Sequence, residues 1–180
     1  MRTLVLALVV AAFVLVAAPL ASAHGRLLAP RGKCGAAERK ILRSDAAQQR
    51  ALRCLVKYAR RRAGLGAPRR SSKLNRGAEA KADRIATCRD FSHTPCGRSF
   101  SGAYRRTGYG RGSWSVGEVI GWGPRRAGDA RSVMHQWMHS SSHRSTILRS
   151  WRHAAVGRRH ARSLWGRRHV SVWVVSFGRP

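Results

Sequence analysis

Acidic residues are scarce in this chain: seven Asp and Glu stand against 36 Lys and Arg among 180 residues, a formal net charge of +29. That imbalance gives salt-sensitive adhesion to polyanions such as nucleic acid, anionic lipid head groups or anionic cell-wall polymers. The basic residues are scattered along the whole chain rather than gathered in one stripe, which is the pattern of a solvated surface. Other absences narrow the chemistry. There is no H-E-x-x-H, which excludes the helical zinc-protease signature, and no G-x-S-x-G, which excludes a nucleophile elbow. The cysteines form no C-x₂₋₄-C pairs, against a four-cysteine zinc site. Beyond Ala23 no segment is apolar enough to span a bilayer as a helix, which takes roughly twenty residues.

The opening of the chain is different. Arg2 precedes an apolar run from Leu4 to Ala18, and Ala21-Ser22-Ala23 fits the small-x-small pattern of signal peptidase sites. Residues 1–23 therefore read as a secretory signal, and the mature chain is expected to be soluble and to start near His24. Residues 24–43 mix Gly, Pro, Arg and Lys and read as an N-terminal extension fixed mainly by Cys34, followed by one folded domain over 44–180.

Export bears on the four cysteines, Cys34, Cys54, Cys88 and Cys96, because an even number outside the reducing cytoplasm favours pairing. Of the three possible connectivities, sequence proximity favours Cys34 with Cys54 and Cys88 with Cys96. Closing those loops contributes roughly 3 and roughly 2.5 kcal/mol in the chain-entropy model. The second bridge would enclose His93 in a small covalent ring.

Periodicity places the elements. Asp45 can cap a first helix, with Gln48 in a capping box, Leu52, Leu55, Val56, Ala59 and Ala63 on one face, and Gly64 as its stop. Ser71 or Ser72 starts a second, carrying Leu74, Ala78, Ala82, Ile85 and Ala86 and ending near Thr87. Residues 94–113, rich in Gly, Ser and Arg, read as a long irregular loop of a functional kind. Trp114 to Ile120 reads as a short strand bearing Glu118. Asp129 caps a third helix whose Ala130, Val133, Met134, Trp137 and Met138 make a core stripe. His135 and His139 of that helix lie four apart but about 150° from the stripe, on the solvated face. A helical turn from Ser142 to Arg149 follows, and strands are expected at His153 to Arg159 and His169 to Phe177.

Phe91-Ser92-His93, Gly108-Tyr109, Gly117-Glu118-Val119-Ile120, Val133 with Trp137-Met138, Ser142-His143-Arg144, Ile147-Leu148 and the Trp173 to Phe177 strand occur in the order of a known domain. The chain resembles the CAP superfamily (cysteine-rich secretory proteins, antigen 5 and pathogenesis-related 1), and most closely its secreted bacterial single-domain branch. The resemblance implies an α/β fold, a three-layer α-β-α sandwich, with a cleft in which His93 and His143 match the two family histidines and Glu118 the family glutamate. It further implies a weakly bound zinc or other divalent cation on His93, Glu118 and His143, since imidazoles and a carboxylate are good zinc ligands that leave a position for water. Two departures stand out: no Asp or Glu lies between His93 and Glu118, and Val119 stands where the family usually has asparagine.

The functional expectation is a secreted, extracellular, monomeric binding protein that takes an apolar ligand, a lipid or an envelope polyanion, with no specific nucleic-acid target. Hydrolysis, with Glu118, His93 or His143 as the catalytic groups and a metal activating water, is one alternative, and polyanion binding through charge alone is another; binding is favoured over catalysis. A serine nucleophile would require Ser92, Ser113 or Ser115 within reach of an imidazole.

Overall fold

The computed structural model describes residues 25–110 and 112–180, so the expected signal segment and the His24 start lie outside the described residues. Its regular elements are α1 (Asp45–Arg62), β1 (Arg69–Arg70), α2 (Ser72–Thr87), α3 (Gly102–Arg106), β2 (Ser115–Pro124), α4 (Ala130–His139), α5 (Ser141–Ile147), β3 (His153–Leu164) and β4 (Arg167–Arg179). The strands form one sheet in the order β1-β3-β4-β2, with β1 parallel to β3 and the other neighbours antiparallel.

The alternation of β4 decides the layering. Trp173, Val175 and Phe177 point to one face and meet Leu52, Leu55, Val56 and Ala59 of α1, Met134 and Trp137 of α4, and Ile147 of α5. Val170, Val172 and Val174 point to the other and meet Leu74, Ala78, Ala82 and Ile85 of α2 and Tyr104 of α3. A strand buried on both faces reads as a continuous apolar run, and the result is the expected α-β-α sandwich. α2 approaches β3 so closely that a Cβ on Gly157 would lie 2.3 Å from the carbonyl oxygen of Ala78, which makes glycine a packing requirement there.

Local chemistry sets the helix ends. Ser71 and Asp129 cap α2 and α4 through the backbone N–H groups of Leu74 (3.3 Å) and Ser132 (2.7 Å). Gly64, at φ +71°, stops α1 while the N–H of Leu65 closes on the carbonyl of Arg60 at 2.8 Å. The start of α1 differs from expectation. Ser44, not Asp45, accepts from the Ala47 N–H, and Asp45 instead pairs with Arg158 of β3. Gln48 leaves the capping box and donates to the carbonyls of Ala37, at 2.6 Å, and Lys40.

That side chain is one of several clamps on the N-terminal extension, in addition to Cys34, from which the sequence leads one to expect the main hold. Glu38 is buried and accepts from the backbone of Gly32 and Cys34, Arg131 donates to Ala29 at 2.8 Å, and Arg158 donates to Ile41 at 2.7 Å. The extension is thus part of the packed unit. Both expected disulfides, Cys34–Cys54 and Cys88–Cys96, are formed. The loop over 94–113 is less irregular than its composition suggests: it contains a 3-10 turn at Pro95–Gly97 and the one-and-a-half-turn helix α3, driven by burial of Ala103 and Tyr104.

Candidate functional site

β2 is an edge strand, and the register that sets Glu118 opposite Ser176 turns both side chains to the α2 face. The Glu118 carboxylate is completely buried there, where an unpaired charge would be costly, and it has three partners. The Lys81 ammonium of α2 lies 3.0 Å from one oxygen, the Tyr104 hydroxyl of α3 donates to the same oxygen, and His93 Nδ1–H lies 2.7 Å from the other. Lys81 also donates to the Phe100 carbonyl at 3.1 Å and sits 4.3 Å from the centre of the Phe100 ring. The Tyr104 oxygen is 2.7 Å from Ser176 Oγ. Gly77 permits this arrangement, because a Cβ there would lie 2.6 Å from the Tyr104 ring.

Burial dominates the electrostatics. It pushes the Tyr104 phenol well above its ordinary range, and the negative charge of Glu118 pushes the same way, so Tyr104 is a fixed proton donor. Burial lowers Lys81, while Glu118 raises it and holds the cation in place.

His143 stands on the opposite side of the strand edge, in the first turn of α5. Its Nδ1 is 2.7 Å from Ser140 Oγ and its ring stacks on Trp137, centroids 6.5 Å apart and planes 23° off parallel. Burial lowers its pKa and the neighbouring His93 lowers it further. The two imidazoles face a common cleft of about 440 Å³ lined also by Phe91, Ile120, Trp122 and Trp137. Each spends Nδ1 on an anchor, so Nε2 is the nitrogen left for a ligand.

Glu118 does not line this cleft; it lies behind His93 and orients it. Both of its oxygens are committed to Lys81, Tyr104 and His93, so the expected zinc set of His93, Glu118 and His143 does not fit as three ligands. Among the described residues no group of three or more His, Cys, Asp or Glu is placed to hold a metal ion.

The model of the cysteine-rich secretory protein (CAP) family matches residues 45–177. The chain belongs to the CAP family. Solved CAP-like folds agree at low identity. An extracellular protein with an SCP domain from Bacillus anthracis superposes at TM-score 0.61 with 17% identity over 76% of this chain and 41% of that one. An outer surface protein from Borrelia burgdorferi gives 0.61 and 17% over 76% and 95% of the two chains. A cysteine-rich secretory protein from Staphylococcus aureus gives 0.56 and 19% over 77% and 41%. The chain thus spans about two fifths of the Bacillus and Staphylococcus proteins. No curated protein sequence matches it.

In this CAP domain the structure brings His93 and Glu118 into contact and sets His143 across the cleft. His135 and His139 stack on each other at 4.1 Å on the outer helix face, away from it. Ser92 Oγ accepts from the Thr94 N–H, and among the described residues the serine hydroxyl hydrogen-bonded to an imidazole is that of Ser140, not of Ser92, Ser113 or Ser115. Lys81 and Tyr104 were missed. Lys81 falls in the register of Leu74, Ala78 and Ile85, so its place in an apolar stripe was the available signal. Tyr104 was hidden in a segment too short to show a period.

Proposed function

We propose that this CAP domain is a binding protein of the extracellular envelope whose His93–His143 cleft takes an apolar ligand bearing a hydrogen-bonding head group. The observation that carries this is the saturation of Glu118. A carboxylate held by an ammonium and a phenol has no oxygen to spare as a general base, which weighs against hydrolysis. What faces the cleft instead is Phe91, Trp122, Trp137 and Ile120, with His93, His143, Gln136 and Ser140 among them. Aromatic rings interleaved with a few polar groups, in a space within the range of roughly 300–1,000 Å³, suit a small molecule with both an apolar body and a polar head. The extracellular and outer-surface descriptions of the Bacillus and Borrelia proteins support the location.

A dansylated fatty acid is the first probe, read by fluorescence with the mature protein. Binding is expected to persist in about 1 M salt, where charges are screened beyond roughly 3 Å, and to be lost in Phe91→Ala/Trp122→Ala. Binding that collapses with salt, or survives loss of both rings, would sink the reading. A divalent cation meets two imidazoles and no carboxylate, fewer protein ligands than zinc sites use. Calorimetric zinc titration is therefore expected to show weak binding that disappears in His93→Ala/His143→Ala and persists in His135→Ala/His139→Ala; unchanged binding in the first variant would remove the cleft from the account.

A further inference from the structure

We propose that the outer face of α1 is a second binding site, independent of the cleft, that grips a phosphodiester polymer of the envelope, of poly(glycerol phosphate) type, through Lys33, Arg50, Arg53, Lys57 and Arg61. The four α1 residues are spaced by three, four and four, which at 100° per residue confines them to one face and spreads them over roughly 16 Å. With Lys33 and Tyr58 they line a groove of about 220 Å³ beside Cys54, whose disulfide to Cys34 fixes the extension, and with it Lys33, against the helix. The charges therefore form a concave row.

This row is short of counter-charge: the one acid acting on Arg53 counts for less than that residue's burial and its neighbours Arg70 and Arg50. Among the described residues none of the five cations forms an ion pair. The acid whose charge reaches Arg53 is Glu79, and its carboxylate already accepts from Asn75 at 2.8 Å and Gln49 at 3.4 Å. The other six carboxylates of the chain are engaged elsewhere by backbone N–H groups or other side chains. Burial lowers the Arg53 guanidinium and its neighbours Arg70 and Arg50 lower it further, a mutual repulsion that a bound anion relieves. A row rather than a single pocket suits a repeating anion. Nucleic acid is disfavoured because single-strand sites stack bases on aromatic platforms, and this face offers only the half-buried Tyr58.

The test compares two variants of equal net charge: Arg50→Gln/Arg53→Gln/Lys57→Gln/Arg61→Gln, and a control with Arg126, Arg162, Arg167 and Arg168, all exposed, changed to Gln. Binding of poly(glycerol phosphate) is measured across a salt series. The α1 variant is expected to flatten the slope of log K against log salt by about 3, four contacts at about 0.7 each, and the control to leave it nearly unchanged. Equal loss in both variants, or none in the first, overturns the site by making the attraction diffuse. Tighter binding of single-stranded DNA of equal phosphate count overturns the choice of occupant, and inorganic phosphate competing at equal phosphate concentration overturns the polymer. Lys33→Gln/Arg50→Gln/Arg61→Gln, three exposed positions, gives the same decision with a slope change of about 2 if the fourfold variant folds poorly.

Discussion

α1 and α2 pack on opposite faces of the sheet and use positive charge in opposite ways. On α2, Lys81 points inward, is almost completely buried and meets a carboxylate, a carbonyl and an aromatic ring. On α1, Arg50, Arg53, Lys57 and Arg61 point outward and, among the described residues, form no ion pair. The difference teaches how a chain with seven acids and 36 bases folds. Glu118 is buried against Lys81 and Asp45 meets the buried Arg158, whereas Glu79 and Asp83 stay exposed; buried Arg60 is satisfied by carbonyls alone, and most of the surplus cations stay in water, where each costs little.

The strongest way to break this contrast is Lys81→Met. It keeps the stem volume and leaves the Glu118 carboxylate buried with hydrogen bonds but no cation, and loss of one partner of a buried pair costs about 3–5 kcal/mol. Denaturant unfolding should show that loss, and Lys81→Met/Glu118→Gln should recover part of it; no recovery would mean that the stem, not the charge, stabilises α2. Tyr104→Phe ranks next. It removes the donor to Glu118 and the contact with Ser176 while keeping the ring against Gly77, for an expected cost of about 1–3 kcal/mol. A change within error would show that water replaces the phenol and that the pocket is less closed than the 0% exposure of the Glu118 side chain implies.

Acid titration sharpens the same comparison from the histidines. Burial is the first cause lowering His143, His153, His160 and His135, with nearby arginines or histidines adding to it. The unfolded imidazole takes up its proton near pH 6.5, the folded ones only lower, so within that interval the unfolded chain binds more protons. Stability should thus fall as pH drops below about 6.5 and be restored above it, by thermal melts at either side of that value. His143→Gln should remove part of the slope; a profile that is flat, or that rises on acidification, contradicts the lowering of these histidines by partial burial.

Much of this was legible in the sequence because local signals carried it. The apolar stripes of α1, α2 and α4, the caps Ser71 and Asp129, the Gly64 stop and the pairing of near cysteines each depend on residues close in the chain. The convergence of His93 and His143 on one cleft followed from the family order of motifs. What was not legible depends on partners far away. Lys81 sits in the apolar register of α2, but nothing near it in the chain names its partner until β2 presents Glu118, and Arg158 reads as one more surface cation until Asp45 and the Ile41 carbonyl surround it. Glu118 was read as a ligand facing the cleft; strand register turned it inward, which spacing alone does not reveal.

The smallest expected effect is on the stability of the α1 variant. Exposed substitutions away from caps and buried networks usually stay within about ±0.5 kcal/mol, and none of the four residues caps α1 or forms an ion pair. Two opposing contributions should nearly cancel. Gln shortens the apolar stems that half-buried Arg53 and Lys57 lay along the helix, while loss of like charges at spacings of three and four relieves repulsion. Denaturant midpoints should therefore match the parent in low salt, and the parent alone should gain stability as salt is added, since screening does for it what substitution does for the variant. A loss above about 1 kcal/mol would place these side chains among the packed groups, in the class of Lys81, and erase the distinction between the two helices.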